Sequence, residues 1–207
     1  MTSAAKFWNR TARRYAASPI ADEAAYERKL EMTRAHFSPD SNVFEFGCGT
    51  GSTALLHAEH VGHVDAIDFS EEMIAIAEER KAEAQAVNVD FHVASIVDFA
   101  SDKERYDVVM GMSVLHLLER PEEAISKSFQ MLKPGGVFVS STVCLTGARR
   151  AIVPIAAFLR RFNLLPILKG FSPDALRQMI LDPGFEIEEF WQPGPGAAVF
   201  IIARKPA

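Results

Sequence analysis

Short apolar runs alternate with segments of helical period along most of this chain. The runs are rich in valine, isoleucine and phenylalanine, and they occupy 42–47, 63–68, 89–93, 106–112 and 136–143. Several are apolar at nearly every position, which is typical of strands buried on both faces. Because helical segments lie between them, the pattern predicts right-handed crossovers and a parallel sheet.

Two of the intervening helices can be predicted together with their ends. One begins at Glu71 behind the N-cap Ser70 and carries two glutamates in its first turn. Its expected buried side comprises Met73, Ile76, Ala77, Ala84 and Val87. Another begins at Pro121 and ends at "KPGG". Its expected inward side comprises Ala124, Ile125, Phe129 and Leu132.

The order of elements changes near the C-terminus. Two strand-like runs, "FEIEEFWQ" and "AAVFIIARK", are separated only by a proline- and glycine-rich connection, which is too short for a crossover helix. They predict an antiparallel hairpin. The expected fold class is therefore α/β, a doubly wound and mostly parallel sheet with an antiparallel C-terminal hairpin and a helical cover.

Composition narrows the possible functions. With 207 residues, 48% of them hydrophobic, the chain can bury one sizeable core. A net charge of −5 gives no basic excess for nucleic acid. No stretch reaches the roughly 18 apolar residues of a membrane span, and the first 15 residues lack the apolar core of a signal peptide, so we expect a cytoplasmic protein.

Cysteine and histidine spacing argues against a disulfide or a metal. Cys48 and Cys144 are far apart in the sequence and lie outside any zinc-ligand spacing. Five histidines show no ligand spacing with carboxylates or cysteines, namely His36, His57, His60, His63 and His92. We therefore expect no metal.

A glycine-rich stretch, "VFEFGCGTG", follows directly from the first predicted strand. In an open α/β sheet the ligand lies at the carboxyl end of the strands, and glycine lets it approach the backbone there. The dehydrogenase fingerprint would need glycine at Ser52, and the Gly-Lys-Ser/Thr of a phosphate-binding loop is absent. Asp68, at the end of the second strand, is placed to accept both ribose hydroxyls of an adenosine; the alternative is a helix cap, which Ser70 already supplies.

These stretches resemble the class I S-adenosylmethionine-dependent methyltransferases, and within them the small-molecule group that includes the ubiquinone and menaquinone biosynthesis type. The resemblance runs from about Phe7 to Val143. The motifs that carry it are "VFEFGCGTG", "AIDFSEEMIAIAEER", "YDVVMGMSVLHLL" and "SFQMLKPGGVFVSST". It implies a seven-stranded sheet with its last strand antiparallel, S-adenosyl-L-methionine as cofactor, S-adenosyl-L-homocysteine as product, and methyl transfer to a small-molecule acceptor.

The resemblance also implies roles for individual residues. The implied cofactor-binding residues are Glu45, Gly47, Cys48, Gly49, Gly51, Asp68, Phe69, Met73, Ser95, Ile96, Gly111 and Met112. Glu45 would reach the amino group of the methionine moiety, and Asp68 would hold the ribose. Phe69 and Met73 would pack on the adenine, although Met73 could equally belong to the core. Ser95 stands where the family usually has an aspartate for the adenine amine, so the Ile96 backbone is an alternative contact. Gly111 and Met112 end the fourth strand, where a carbonyl could receive the ammonium.

Two residues are candidates for catalysis. His116 could accept a proton near neutral pH, and the alternative is a structural histidine on an apolar turn. Tyr15 lies in an N-terminal segment that in relatives folds over the cofactor; the alternative is a surface helix packed through Phe7 and Trp8. We expect residues 7–20 to form a mobile cover that orders when cofactor binds.

The acceptor is the least determined part of the prediction. The fourth strand is followed by "GMSVLH", without the Asn/Asp-Pro-Pro-Tyr/Phe stretch of amide and adenine methylases. Residues 147–170 contain five cationic and no acidic side chains, which suits an apolar, aromatic or acidic acceptor or a peripheral contact with an anionic membrane; the alternative is a solvated helix over the sheet.

We expect a single methyltransferase domain, monomeric or homodimeric, in four parts. These are an N-terminal helical cover (1–35), a cofactor-binding core (36–146), an acceptor-side cover (147–180) and the hairpin (181–207). Two other functions share these motifs: a non-catalytic cofactor-binding module, and transfer of an aminopropyl group, against which the cationic cover argues.

Overall fold

The computed structural model describes residues 3–145, 167–194 and 196–207, and its centre is a seven-stranded sheet in the order β3-β2-β1-β4-β5-β7-β6. The strands are β1 (Asn42–Phe46), β2 (His63–Asp68), β3 (Val89–Val93), β4 (Tyr106–Met112), β5 (Leu132–Val143), β6 (Glu186–Trp191) and β7 (Ala198–Arg204). Neighbours from β3 to β5 pair in parallel, whereas β7 pairs antiparallel with both β5 and β6. The predicted fold class is confirmed, including the C-terminal hairpin.

Helices connect the parallel strands and precede them. They are α1 (Ser3–Ala16), α2 (Glu23–Arg34), α3 (Ser52–Ala58), α4 (Glu71–Ala84), α5 (Pro121–Met131) and α6 (Pro173–Leu181), with a 3₁₀ turn at Leu115–Leu117. The predicted cap of α4 is confirmed, because the Ser70 hydroxyl accepts the Met73 amide at 3.3 Å. Pro121 begins α5, where its missing N–H leaves no helical bond unmade.

Each face of the sheet carries its own apolar layer. Successive residues of β1 divide between them, with Val43 in the layer that includes Ala54 and Ala77, and Phe44 in the layer that includes Ile125 and Leu176. Since both faces are covered, a strand needs apolar side chains at consecutive positions, which is the pattern seen in the sequence.

Two details of the predicted helices are wrong. Helix α4 ends at Ala84, and Gln85 adopts a left-handed conformation with φ 54°, so the chain turns away before Val87. Ala84 is exposed, and Val87 is 94% exposed instead of buried. Leu132 is fully buried as predicted, but as the first residue of β5, because α5 has already ended at Met131.

Most of the cationic segment 147–170 lies outside the described residues, which resume at Ile167. Among the described residues, no helix has both the length and the apolar content needed to cross a membrane.

Candidate active site

The glycine-rich turn joins β1 to α3 at the carboxyl edge of the sheet. Its three glycines have positive φ angles, +64° at Gly47, +55° at Gly49 and +76° at Gly51. A Cβ on Gly47 would lie 2.3 Å from Val114, and one on Gly51 would lie 2.7 Å from the Phe91 ring, whereas one on Gly49 would meet only Tyr15, at 3.8 Å. Packing therefore requires two of the glycines, and Gly49 keeps the turn open toward the site.

A cavity of about 660 Å³ opens above this turn. It lies between the turn, the connection from α1 to α2, the side of α2 and the ends of β4 and β5. Its wall includes Tyr15, Tyr26, Lys29, Glu45, Met112 and Ser141. This volume lies within the range of small-molecule sites, and its position is the one at which α/β sheets bind ligands.

Glu45 places a buried carboxyl group in the wall of this cavity. The residue is 1% exposed, and its Oε2 has no hydrogen-bond partner among the described residues. Burial, with a smaller contribution from the nearby Asp68, raises the pKa of Glu45 to about 8. An unpaired buried acceptor of this kind is costly on its own and favours a ligand that carries a donor or a positive charge.

Asp68 connects the glycine-rich turn to the start of α4. Its two carboxylate oxygens accept the amides of Gly49 at 3.1 Å and Ser70 at 2.8 Å. Burial raises the pKa of Asp68, while these backbone N–H groups act in the opposite direction. Each oxygen retains a second lone pair, so Asp68 can hold the turn and still accept from a ligand.

Helix α1 packs along α4 beside the site. Ala12 lies against Met73 and Ile76, all three nearly or fully buried, and the Ser70 hydroxyl donates to the Asn9 side-chain oxygen at 2.6 Å. Tyr15, at the end of α1, is half-exposed and reaches the cavity wall. Partial burial, followed by the carboxyl groups of Asp68 and Glu45, raises the pKa of Tyr15, which keeps the phenol protonated at neutral pH.

Arg80 joins α1 to the glycine-rich turn. Its guanidinium donates to the Thr50 hydroxyl at 2.7 Å, the Ser52 hydroxyl at 2.6 Å and the Ala16 carbonyl at 3.0 Å. Nothing in the sequence indicates this role, because an arginine within α4 is expected to be a solvated charge. Its partners come from two segments that are distant along the chain.

The predicted site residues fall into two groups. Those on the cavity wall are Tyr15, Glu45, Gly47, Cys48, Gly49 and Met112. Those that do not line it are Gly51, Asp68, Phe69, Met73, Ser95, Ile96, Gly111 and His116. In the second group, Met73 packs beneath α1, which favours its core alternative, and a Cβ on Gly111 would lie 2.4 Å from the Phe46 ring, so that glycine serves packing.

Two of the residues predicted to contact adenine already interact with other parts of the fold. The Ser95 hydroxyl accepts the Val97 amide at 3.2 Å, and the Ile96 side chain is buried in the core. Phe69 is half-buried.

His116 lies in the 3₁₀ turn after β4 and is 7% exposed. Burial lowers the pKa of His116 to about 4, and its Nδ1 has no partner among the described residues. The imidazole is therefore neutral at physiological pH. Its place off the cavity wall favours the structural alternative.

The expectation of no metal stays a prediction, and the fold brings one histidine close to two carboxylates. His63 Nε2 lies 3.4 Å from an Asp65 oxygen and 3.5 Å from an Asp90 oxygen, a group whose geometry could hold a metal ion. The pairing of β2 with β3 sets Asp65 opposite Asp90, which spacing along the chain does not reveal. The group lies near the start of these strands, at the edge of the sheet away from the glycine-rich turn.

Four polar residues of the cavity wall were not predicted from the sequence. The Tyr26 and Thr53 hydroxyls are hydrogen-bonded at 3.1 Å, and Lys29 Nζ donates to the Ser141 hydroxyl at 3.1 Å. Tyr26 and Lys29 stand three residues apart, which places them on one face of a predicted helix. That spacing was the only available signal, because the partner of Lys29 lies 112 residues further along the chain.

A model of the methyltransferase domain family matches residues 43–136, from β1 to the start of the buried part of β5. The demethylmenaquinone methyltransferase of Leptospira interrogans is 30% identical over 197 residues, covering 83% of this chain and 78% of that protein. The ubiquinone biosynthesis O-methyltransferase of Coxiella burnetii is 30% identical over 125 residues, 60% of this chain and 53% of that protein.

Solved structures share the fold at lower identity. The geranyl diphosphate C-methyltransferase of Streptomyces coelicolor A3(2), solved with S-adenosyl-L-homocysteine, superposes with a TM-score of 0.73 at 16% identity, covering 88% of this chain and 79% of that one. The sheet order and the glycine-rich turn define a Rossmann-like α/β protein. The chain belongs to the class I S-adenosylmethionine-dependent methyltransferases, as its relatives and family match show.

Proposed function

We propose that this methyltransferase acts on a small-molecule acceptor with an aromatic or apolar body, which it holds beside the cofactor in the cavity above the glycine-rich turn. The observation that carries the proposal is the composition of that one cavity. Its wall joins the turn and Glu45 to a second set of residues, Tyr15, Tyr26 and Met112, that offer rings and an aliphatic side chain. Such surfaces suit an aromatic ligand.

The cofactor fits the polar groups on the β1 and β2 side. The buried Oε2 of Glu45, which has no partner among the described residues, suits the ammonium of the methionine moiety. Asp68 suits the ribose hydroxyls through its remaining lone pairs. Gly49, which has no Cβ and faces the cavity, allows close approach to the backbone.

When bound, the cofactor supplies a sulfonium that activates its methyl group for direct displacement. The protein then has to orient the acceptor and exclude water. Tyr15 and Tyr26 present hydroxyls on the wall, and since the pKa of each is raised, mainly by burial, both are donors or acceptors of hydrogen bonds and not bases at neutral pH. We assign Tyr15 to positioning and His116 to structure.

Two relatives are compatible with such an acceptor. Their names refer to demethylmenaquinone and to ubiquinone biosynthesis. The family model matches residues 43–136, whereas the residues that we expect to distinguish one acceptor from another lie largely on α1, α2 and the β5 edge.

The proposal is tested by turnover with a defined panel. The protein is incubated with S-adenosyl-L-methionine and, separately, with simple phenols, catechols, hydroquinones, aliphatic amines and a protein extract, and S-adenosyl-L-homocysteine is quantified by mass spectrometry. We expect product with at least one aromatic acceptor, and less with Tyr15→Phe. Product with the amines or the extract alone would contradict the aromatic class.

A further inference from the structure

Lys29 carries a positive charge on the cavity wall, and its partner among the described residues leaves that charge uncompensated. It projects from α2, is half-buried, and donates to the Ser141 hydroxyl at 3.1 Å. None of the salt bridges formed among the described residues involves Lys29. A partly desolvated ammonium with only a neutral partner favours an anion from elsewhere.

The carboxyl groups of the same wall do not supply that anion. In the ligand-free protein Glu45 is protonated in most molecules at neutral pH, because its pKa is raised to about 8. Glu23 begins α2 and is exposed, and it lies six residues from Lys29, about 9 Å along a helix axis. Burial lowers the pKa of Lys29 from its ordinary value near 10.5, and Asp22 acts weakly in the opposite direction. The ammonium form is favoured further by a bound anion.

Sheet register places the partner of Lys29 on a different strand from Glu45. Glu45 of β1 is opposite Met110 of β4, and Ser141 of β5 is opposite Met112. Ser141 is thus two strands from Glu45, about 10 Å between backbones at the usual spacing of roughly 4.8 Å. Since this is a spacing of strands and not of the Lys29 and Glu45 side chains, a carboxylate at Lys29 can be supplied by a second molecule or by the cofactor.

We propose that Lys29 and Ser141 form a carboxylate-binding subsite at the β5 end of the cavity. The inference rests on the proposed function and deepens it, because it makes the acceptor an aromatic or apolar acid. One lysine and one hydroxyl match a singly charged carboxylate, which accepts from both donors. The same chemistry could come from the cofactor's own carboxylate, and the experiment separates the two sources.

The test uses Lys29→Met, which keeps the stem and removes the charge, with Lys29→Arg as the conservative change and exposed Lys103→Met as the matched control. Calorimetry measures binding of S-adenosyl-L-homocysteine and of its analogue without the carboxylate. Benzoate and benzamide are then titrated into each protein, with and without S-adenosyl-L-homocysteine. Thermal melting confirms that every variant is folded.

For an acidic acceptor we expect benzoate to bind wild type at least tenfold more tightly than benzamide. Lys29→Met should abolish this preference, Lys29→Arg should retain part of it, and the affinity for S-adenosyl-L-homocysteine should stay within twofold. If Lys29→Met instead weakens S-adenosyl-L-homocysteine tenfold but not its analogue, the subsite holds the cofactor carboxylate.

The subsite is overturned if Lys29→Met keeps both the preference for benzoate over benzamide and the preference for S-adenosyl-L-homocysteine over its analogue. It is also overturned if Lys103→Met loses either preference to the same extent as Lys29→Met. Failure of wild type to bind S-adenosyl-L-homocysteine contradicts the cofactor assignment instead. The benzoate comparison without cofactor still decides the role of Lys29 in that case, so the two failures are distinguishable.

Discussion

Glu45 should release a proton when the cofactor or its product binds. In the ligand-free protein its pKa is about 8, because the carboxyl is 1% exposed and lies near Asp68. A ligand ammonium beside it favours the carboxylate and returns the pKa toward or below its ordinary value of 4.5. At pH 7 about nine molecules in ten then change from protonated to ionised on binding.

The size and sign of the effect follow from that shift. At pH 7 about 0.9 proton leaves per S-adenosyl-L-homocysteine bound, and ionising Glu45 costs about 1.4 kcal/mol of binding free energy. Since binding selects the ionised form, affinity should rise with pH, by about ninefold between about pH 6 and about pH 7. Over this interval a ligand amine remains protonated.

Calorimetry in phosphate and in Tris gives the number of protons directly, because the two buffers take up a proton with different enthalpies. Glu45→Gln, which is neutral and similar in shape, should bind without proton release and without the pH dependence, while Asp68→Asn should retain both. Release of less than about 0.2 proton by wild type, or equal release by Glu45→Gln, would refute the reasoning.

Three further outcomes are expected. Asp68→Asn should weaken S-adenosyl-L-homocysteine binding by about 1.5–3 kcal/mol by calorimetry, and an unchanged affinity would remove its ribose role. Tyr15→Phe should lower kcat more than it weakens S-adenosyl-L-homocysteine binding. Residues 7–20 should exchange amide hydrogens more slowly with that ligand bound, and equal exchange in both states would mean that this segment is not a mobile cover. Gly51→Ala should lower the free energy of unfolding in urea by about 2–4 kcal/mol, because φ is +76° and the new Cβ would lie 2.7 Å from a ring carbon. The matched Gly135→Ala, at φ +77° with open space around it, should cost only about 1–2 kcal/mol.

The sequence determined the sheet and the position of the glycine-rich turn because their signals are local. Strands buried on both faces must be apolar at consecutive positions, and a connection as short as that before β7 excludes a crossover helix. Gly47, Gly49 and Gly51 indicate the backbone conformation of a single turn. Asp68 is the last residue of the next strand. Each inference needed only residues within one element or one connection.

The tertiary structure alone decided what stands around that turn. It showed that Gly51 and Gly111 are required by the packing of neighbouring aromatic rings. It also showed that Arg80 links two distant segments and that Lys29 donates a hydrogen bond to Ser141. The pKa of Glu45 belongs here as well, because it depends on how much water the fold excludes from one carboxyl group. Long-range register and desolvation leave no periodic trace along a chain, so the pattern of residues predicts the class of enzyme, whereas packing determines which side chains face its substrates.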